Sequence, residues 1–590
     1  MLFPISDSRR QTGAGRLLDT PGAALEVAVE PELHARAEAL WRDEARALCD
    51  AVGWHDAELV ARPFARGLSL AVAAPIDALY TATELNEAAW RAAAAVLAGE
   101  PPPSRDETLA ALTRELYEEQ EPAWVALDLA CERHGVSLLW DDEFATVGMG
   151  AGSHSYPADA LPAPDDVDWA ARHDIPAALI TGTNGKSTTT RMLAAMCDAA
   201  GHTTAVSSTD YVAVGGTVIE RGDFSGPMGA RAALRDTRPT AAVLECARGG
   251  LLRRGCPVPH ATAAAVTNVA SDHLGDYGVF TVPDLAQAKF VVARALVATA
   301  HRPGGVLVVN ADDPPSVAEV ERLRPRLERD GVRLAWTGLD GTGPGGAPLA
   351  ATVRHGAFAL RELADLSSDV PPGPYEAGSW TPLLPVADAP ATLGGTARYN
   401  VRNALTALAL GRALGLDDAA LADGLRAFRG DATDNPGRMN RFALPVDGGT
   451  ATVVVDYAHN AHGLAALLDA MAHQPAKRRL LVLTTAGDRS DADMHALAEA
   501  AAGHADRYLV PDLPEHRRGR AVGEIPDVFR RALARHGVAG DAFASAPDSP
   551  SAIQDALGWL RPGDLAVLVV LSKRDETLDV LRAAGATPIG

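Results

Sequence analysis

The spacing of apolar residues divides this chain into regions with different grammars. From Ala35 to about Ala98, and again from Glu107 to His134, apolar residues recur at helical intervals, so both stretches predict helix. Gly99-Glu100-Pro101-Pro102-Pro103 separates them, because glycine followed by prolines ends a helix. The N-terminal region therefore reads as mixed, with more helix than strand. Beyond Ile175 the pattern changes. Short apolar runs at Ala241–Glu245, Ala261–Thr267 and Val306–Asn310, set between helical segments, predict buried parallel strands, since a strand covered on both faces has no polar side. After Gly437 a second series, Thr452–Val455, Leu480–Leu483, Arg507–Val510 and Leu565–Leu571, predicts a smaller doubly wound unit. The stretch Gly150 to Asp168, rich in Gly, Ser, Pro and Asp, marks a boundary, and the intervals Gly338–Gly346 and Pro371–Pro385 read as insertions or surface hairpins. These breaks predict three units: 1–165, 166–435 and 436–590. No repeat with a period of 20 to 50 residues is visible.

Between the apolar run Ala177-Ala178-Leu179-Ile180 and an alanine- and methionine-rich helical pattern stand Thr181-Gly182-Thr183-Asn184-Gly185-Lys186-Ser187-Thr188. Strand, glycine loop and helix in this order predict a phosphate-binding loop. Gly182 and Gly185 permit a tight turn whose N–H groups point at phosphate oxygens, and the helix adds its positive dipole end. Lys186 would reach the β- and γ-phosphates and Ser187 would ligate Mg2+. The loop is a variant, because Ile180 stands where the general pattern has its first glycine. The fold class expected is α/β: an N-terminal mixed domain, a central P-loop parallel-sheet ATPase domain and a C-terminal Rossmann-like domain.

Length and composition narrow the partners. At 590 residues the chain exceeds a single core, and with 47% hydrophobic and 22% charged residues it has the make-up of an ordinary globular protein. A net charge of −22 argues against a general nucleic-acid binder, which needs clustered Lys and Arg to neutralise phosphates. Five scattered cysteines without a C-x-x-C pair indicate neither a disulfide framework nor a zinc site, and they fit a reducing cytoplasm. No apolar stretch is long enough to predict a membrane span or an export signal.

Polar residues at the carboxyl ends of the expected strands are the candidates for chemistry, because open α/β sheets bind ligands there. Glu245 closes its strand, Asp272 and His273 follow the strand ending at Thr267-Asn268, and Lys289 lies on the helix that starts near Pro283. A carboxylate and a neutral imidazole beside a phosphate loop could hold Mg2+ between ATP and an oxygen-bearing substrate.

Five motifs in order, Thr181–Thr188, Asn268-Val-Ala-Ser-Asp-His-Leu274, Asn310-Ala-Asp-Asp-Pro314, Asn400-Val-Arg-Asn403-Ala-Leu and Asp456-Tyr-Ala-His-Asn460, resemble the Mur ligase superfamily. Within it, Glu245-Cys-Ala-Arg-Gly-Gly-Leu-Leu-Arg253, Asp284-Leu-Ala-Gln-Ala-Lys289 and Pro436-Gly-Arg-Met-Asn440 are most similar to the Mur-ligase half of cyanophycin synthetases, and residues 1–165 leave no room for the ATP-grasp domain of those enzymes. The resemblance implies that ATP phosphorylates a substrate carboxylate and that an amine attacks the acyl phosphate. It makes Lys186, His273 and Lys289 catalytic, and Ser187, Glu245, His273 and Lys289 magnesium ligands, with Lys289 carbamylated. It assigns Gly182, Thr183, Asn184, Gly185, Lys186, Ser187 and Thr188 to the phosphates, Asn400 and Asn403 to the region of the base, and Arg438 and Asp456 to ATP contacts made across a hinge near Asp434-Asn435-Pro436-Gly437. His459 supports that region. Tyr399 and Cys246 depart from the family pattern, which has histidine and threonine there.

The implied substrates are an amino acid and an acidic peptide or polymer, with no nucleic acid and no membrane. The reading admits a homo-oligomer and a separate ATP-grasp partner enzyme. A folylpolyglutamate-type or peptidoglycan-precursor ligase would share the central machinery, although Glu-x-x-Arg-Gly-Gly favours the first reading. An inactive nucleotide-binding partner of a polymer synthetase would not need Lys186, Ser187, Glu245, His273 and Lys289 all intact.

Overall fold

The computed structural model describes residues 3–339, 343–361 and 380–589. Ile5–Gln11 (β1), Gly22–Ala28 (β2), Leu59–Phe64 (β3) and Gly67–Ala73 (β4) form an antiparallel sheet in the order β1-β2-β4-β3. Helices His34–Ala51 and Leu79–Ala98 pack on it. The helical reading of 35–98 is thus corrected at 59–73, which is a β-hairpin. The reason lies in burial. Gly67 to Val72 are all buried, so the segment has no polar face to reveal a period of two. Gly67 also lets two strands approach closely, since a methyl there would meet the carbonyl of Val27. The second expected stretch is two helices, Arg105–Glu119 and Pro122–His134, and Pro122 opens the latter as a first-turn proline. Leu138–Trp140 (β5), Phe144–Val147 (β6) and His154–Pro157 (β7) make a small antiparallel sheet within and before the Gly/Ser/Pro/Asp-rich stretch.

The central sheet contains Ala177–Thr181 (β8), Thr204–Ser207 (β9), Tyr211–Val214 (β10), Thr217–Arg221 (β11), Ala241–Glu245 (β12), Ala263–Val266 (β13), Val306–Asn310 (β14), Arg333–Thr337 (β15), Leu349–Arg354 (β16), Ala357–Leu360 (β17) and Thr381–Pro385 (β18). Their order is β11-β10-β9-β12-β8-β13-β14-β15-β16-β17-β18. From β9 to β16 every pairing is parallel, whereas both edges are antiparallel. Within the polar intervals Gly338–Gly346 and Pro371–Pro385, residues 340–342 and 371–379 lie outside the described residues. The flanking strands β16, β17 and β18 extend the sheet edge.

Strand β8 is buried at all five positions because helices cover both faces. Ala177 and Leu179 face one core and Ala178 and Ile180 the other. On the second side Met192, Leu193, Met196 and Cys197 of helix Lys186–Ala199 are each 0–1% exposed, and burial of the two methionines and the leucine contributes about 1.5–3 kcal/mol each. Helix Asp418–Ala427 crosses it at Gly424, where a methyl would run into the backbone of Met196. The helix behind the phosphate loop is therefore fixed rigidly.

The last unit contains Asn440–Val446 (β19), Gly449–Asp456 (β20), Arg479–Val482 (β21), Arg507–Pro511 (β22), Phe543–Ala546 (β23), Leu565–Val569 (β24) and Thr587–Pro588 (β25). They are ordered β23-β22-β21-β24-β20-β19-β25, parallel from β23 to β20. Among the described residues no helix is long and apolar enough to cross a membrane.

Candidate active site

Strand β8 lies between β12 and β13, and the chain leaves it toward β9 on one side and returns from β12 to β13 on the other. This is the topological position at which open α/β sheets form a crevice beyond their carboxyl ends. A cleft of about 1130 Å³ opens there, between the central sheet and the last unit.

The loop after β8 is held by the segment after β13. Thr183 N donates to Asn268 O (2.9 Å), Asn184 N to Asn268 Oδ1 (3.0 Å), and Thr267 Oγ1 and Asn268 Nδ2 donate to Asn184 O (2.6 and 2.9 Å). Glycine is required twice. Gly182 has φ 150° and faces Thr267 Oγ1, and Gly185 has φ 84° and faces the Asn403 side chain. Lys186 Nζ donates to the carbonyls of Gly182 and Thr183, each at 3.1 Å. Asn184 exchanges amide hydrogen bonds with Asn460 at 3.1 Å, so the last unit touches the loop directly.

Glu245 closes β12 and is 1% exposed. Its Oε1 accepts from Thr209 Oγ1 at 2.7 Å and its Oε2 from Thr209 N at 3.4 Å. Lys289 ends helix Val282–Lys289, is 4% exposed and has no carboxylate pair among the described residues. Burial, reinforced by the charge of Lys186, holds its ammonium well below the usual lysine value, with Asp272 and Asp313 opposing. A neutral amine in such a place can react with CO2, and the resulting carbamate would present anionic oxygen. Ser187 is buried at the start of its helix and makes no side-chain hydrogen bond among the described residues. Anionic and hydroxyl oxygens of this kind suit Mg2+, which takes few protein ligands and keeps several waters.

His273, in a left-handed backbone conformation (φ 49°), belongs to a second group. Ligating atoms of Asp272, His273 and His459 lie within 4.8 Å of one another, and Glu245 is not in this set. Arg489 bridges it, with Nη1 2.8 Å from Asp272 Oδ1 and Nη2 donating to His273 Nε2 at 2.9 Å. Burial would raise the Asp272 carboxyl, but the His459 hydrogen bond and the charges of His459, His273 and Arg489 hold it well below its usual range. Burial in the cleft lowers the half-exposed His273, Asp272 opposing and Arg489 and Arg248 adding, which favours the neutral imidazole able to ligate a metal.

Arg438 and Asp456 lie beyond the segment Asp434-Asn435-Pro436-Gly437, in the last unit. Arg438 Nη1 pairs with Asp210 Oδ2 at 2.9 Å, and Asp456 Oδ2 accepts from Met439 N at 2.8 Å. Burial raises the Asp456 carboxyl to about 6, against the Met439 amide and Arg438. Asn403 lines the cleft beside Gly185, while Asn400 lies behind it, accepting from Asn403 Nδ2 (3.1 Å) and donating to Ala391 O (2.8 Å). Thr188 Oγ1 accepts from Asn435 Nδ2 at 3.1 Å. One cleft is thus lined by Gly182–Thr188, Glu245, His273, Lys289, Asn403, Arg438 and Asp456, whereas Asn400 does not reach it.

Sequence reasoning misses Thr209, Asp210 and Arg574, and it reaches Asn435 only as part of the hinge segment Asp434-Asn435-Pro436-Gly437 and Arg489 only as part of the loop Gly487-Asp488-Arg489-Ser490. Thr209 and Asp210 follow the short strand β9, whose carboxyl end could have been inspected like that of β12. Arg574 carries no local signal.

The chain matches the Mur ligase middle domain over residues 180–340 and the Mur ligase glutamate ligase domain over residues 437–572. It is 33% identical over 419 residues to a cyanophycin synthetase of Synechocystis sp., covering 70% of this chain and 44% of the relative. It is 30% identical over 419 residues to a UDP-N-acetylmuramoylalanine–D-glutamate ligase of Burkholderia pseudomallei, covering 68% of this chain and 70% of the relative. The chain therefore spans less than half the length of the cyanophycin synthetases it matches. Its fold is similar to Mycobacterium tuberculosis folylpolyglutamate synthase complexed with ADP, with TM-score 0.50 and 19% identity over 70% of this chain and 91% of that one.

Proposed function

Because the chain belongs to the Mur ligase superfamily, we propose that it is an ATP-dependent carboxylate–amine ligase, which joins an amino acid to an acidic peptide or polymer in the manner of cyanophycin synthetases. The observation that carries this reading is the convergence of Lys186, Glu245, His273 and Lys289 on one cleft at the carboxyl ends of β8, β12 and β13. An ATPase that only sensed nucleotide would need the loop but not a buried lysine beside it that pairs with no carboxylate among the described residues.

In this reading the γ-phosphoryl group passes from ATP to the acceptor carboxylate, leaving ADP. The amine then attacks the acyl carbon, forming the C–N bond, releasing phosphate and losing a proton. Such transfer is catalysed chiefly by positioning and by fixed charge. Lys186 and the amides of Gly182 to Thr188 hold the phosphates. Arg438 and Asp456 contact ATP from the last unit, and Asn403 lies on the side of the loop toward the base, with Asn400 orienting it. Ser187, Glu245 and a carbamylated Lys289 would hold magnesium, with His273 a further ligand from its own group beside Asp272 and His459, and the metal would neutralise charge on the phosphoryl oxygens. Arg248, Arg253, Arg254 and Arg231 also line the cleft in a chain whose net charge is −22, which supports an acidic acceptor. The three units 1–165, 166–435 and 436–590 serve as N-terminal, ATP-binding and closing domains.

The test is phosphate release with ATP and Mg2+ across a panel of amino acids combined with acidic peptides. Release that depends on both substrates, and its loss in Lys186→Ala with circular dichroism unchanged, is expected. A protein that binds ADP yet releases no more phosphate with any pair than without would overturn the ligase reading.

A further inference from the structure

The turn after β9 places two adjacent side chains on opposite tasks. Thr209 grips Glu245 through its hydroxyl at 2.7 Å and its amide at 3.4 Å. Asp210 receives three guanidinium groups: Arg191 at 2.5 Å and Arg438 at 2.9 Å on Oδ2, and Arg574 at 2.6 Å on Oδ1. Arg191 belongs to the phosphate-loop helix, and Arg438 and Arg574 to the last unit. The Asp210 side chain is only 12% exposed, so water screens these pairs poorly.

The hinge is tied into the same network. Arg191 Nη1 donates to Asn435 Oδ1 at 2.7 Å, and Asn435 Nδ2 donates to Thr188 Oγ1. Arg438 Nη1 and Arg574 Nη1 also donate to Pro436 O (3.3 and 3.5 Å). Gly437, with φ 74°, leaves the space that the Arg574 stem occupies, because a methyl there would lie 2.5 Å from Arg574 Cδ. A single carboxylate is thus the common partner of three arginines from both sides of the hinge. Without it, they would repel one another.

We infer that Thr209 and Asp210 are positioning residues that couple docking of the last unit to the geometry of Glu245. Asp210 holds the last unit against the phosphate-loop helix and aims Arg438 into the cleft. Any displacement of Asp210 is transmitted through one peptide bond to Thr209, and so to the Glu245 carboxylate. The inference rests on the ligase reading for the uses of Arg438 and Glu245, but not for the docking itself.

The experiment reads docking and metal binding without turnover. All five cysteines are buried, so Glu220→Cys on β11 and Asp555→Cys on the last unit can be labelled selectively in the full chain for energy transfer, with Mn2+ affinity followed by electron paramagnetic resonance. Asp210→Asn should raise the undocked population by about tenfold or more, the order expected for losing a charge-assisted hydrogen bond, and should also weaken Mn2+ binding. Arg574→Gln should shift docking in the same direction, and Asp210→Glu should restore much of it. Thr209→Val should weaken Mn2+ binding by about tenfold, as loss of a ligand-orienting partner does, without changing docking, and Thr209→Ser should recover it. If Asp210→Asn and Arg574→Gln keep the parental distance distribution, the docking role is wrong. If Asp210→Asn undocks the unit yet binds Mn2+ as before, the coupling is wrong. Neither result would touch the ligase proposal, which is read by phosphate release.

Discussion

Replacing Gly185 with alanine separates backbone strain from collision. Gly185 and Gly201 have the same φ of 84°, but around Gly201 nothing lies within 4 Å, whereas a methyl on Gly185 would strike the side-chain oxygen of Asn403. Both substitutions force a left-handed backbone on alanine, at a cost of about 1–2 kcal/mol. Only Gly185→Ala adds the collision. Asn403 cannot retreat freely, being 5% exposed and hydrogen-bonded to Asn400, which is anchored on Ala391. Breaking that arrangement costs a further 1–3 kcal/mol or so, and if Asn403 stays, the loop must move instead. Gly201→Ala should therefore lose a little stability and keep its affinity for ADP. Gly185→Ala should lose at least about tenfold in affinity, corresponding to roughly 1.4 kcal/mol, with partial recovery in Gly185→Ala/Asn403→Gly. Isothermal titration with ADP on the four proteins measures this. Equal affinities for Gly185→Ala and Gly201→Ala would refute the collision argument.

Lys289→Ala is expected to be inactive in phosphate release and partly rescued by a small carboxylic acid that replaces the carbamate oxygens; full activity without the acid would remove Lys289 from the site. Closure of the last unit on nucleotide should reduce the radius of gyration in small-angle scattering with a non-hydrolysable ATP analogue plus acceptor, and an unchanged radius together with parental activity for Arg438→Ala would rule it out. Asp456 titrates at about 6 when folded against 3.8 for the ordinary carboxyl, so the folded chain holds this proton more tightly and its contribution to stability is lost as pH rises through about 4 to 6. Asp456→Asn, which keeps an oxygen for the Met439 amide, should flatten that fall in urea midpoints, and an unchanged pH dependence would contradict the assignment.

What the sequence determined by itself is what contiguous residues encode. Thr181 to Thr188 announced the loop because its two glycines, its lysine and the flanking strand and helix are neighbours in the chain. The central strands were legible because a run buried on both faces is continuously apolar, and β12 and β14 have the predicted ends. Burial also concealed structure: Gly67–Val72 shows no alternation, so the hairpin inside the supposed helical stretch emerged only when β4 was placed between β2 and β3. The grouping of side chains was decided by tertiary structure alone. Asp272 meets His459 and Arg489, both far along the chain, and Asp210 meets Arg574 across 364 positions. An isolated Asp or Arg carries no mark of its partner, because a charge is paired by whichever group the packed sheets and the hinge bring within about 3 Å. The same holds for Thr209: only the parallel pairing of β9 with β12 sets it beside Glu245.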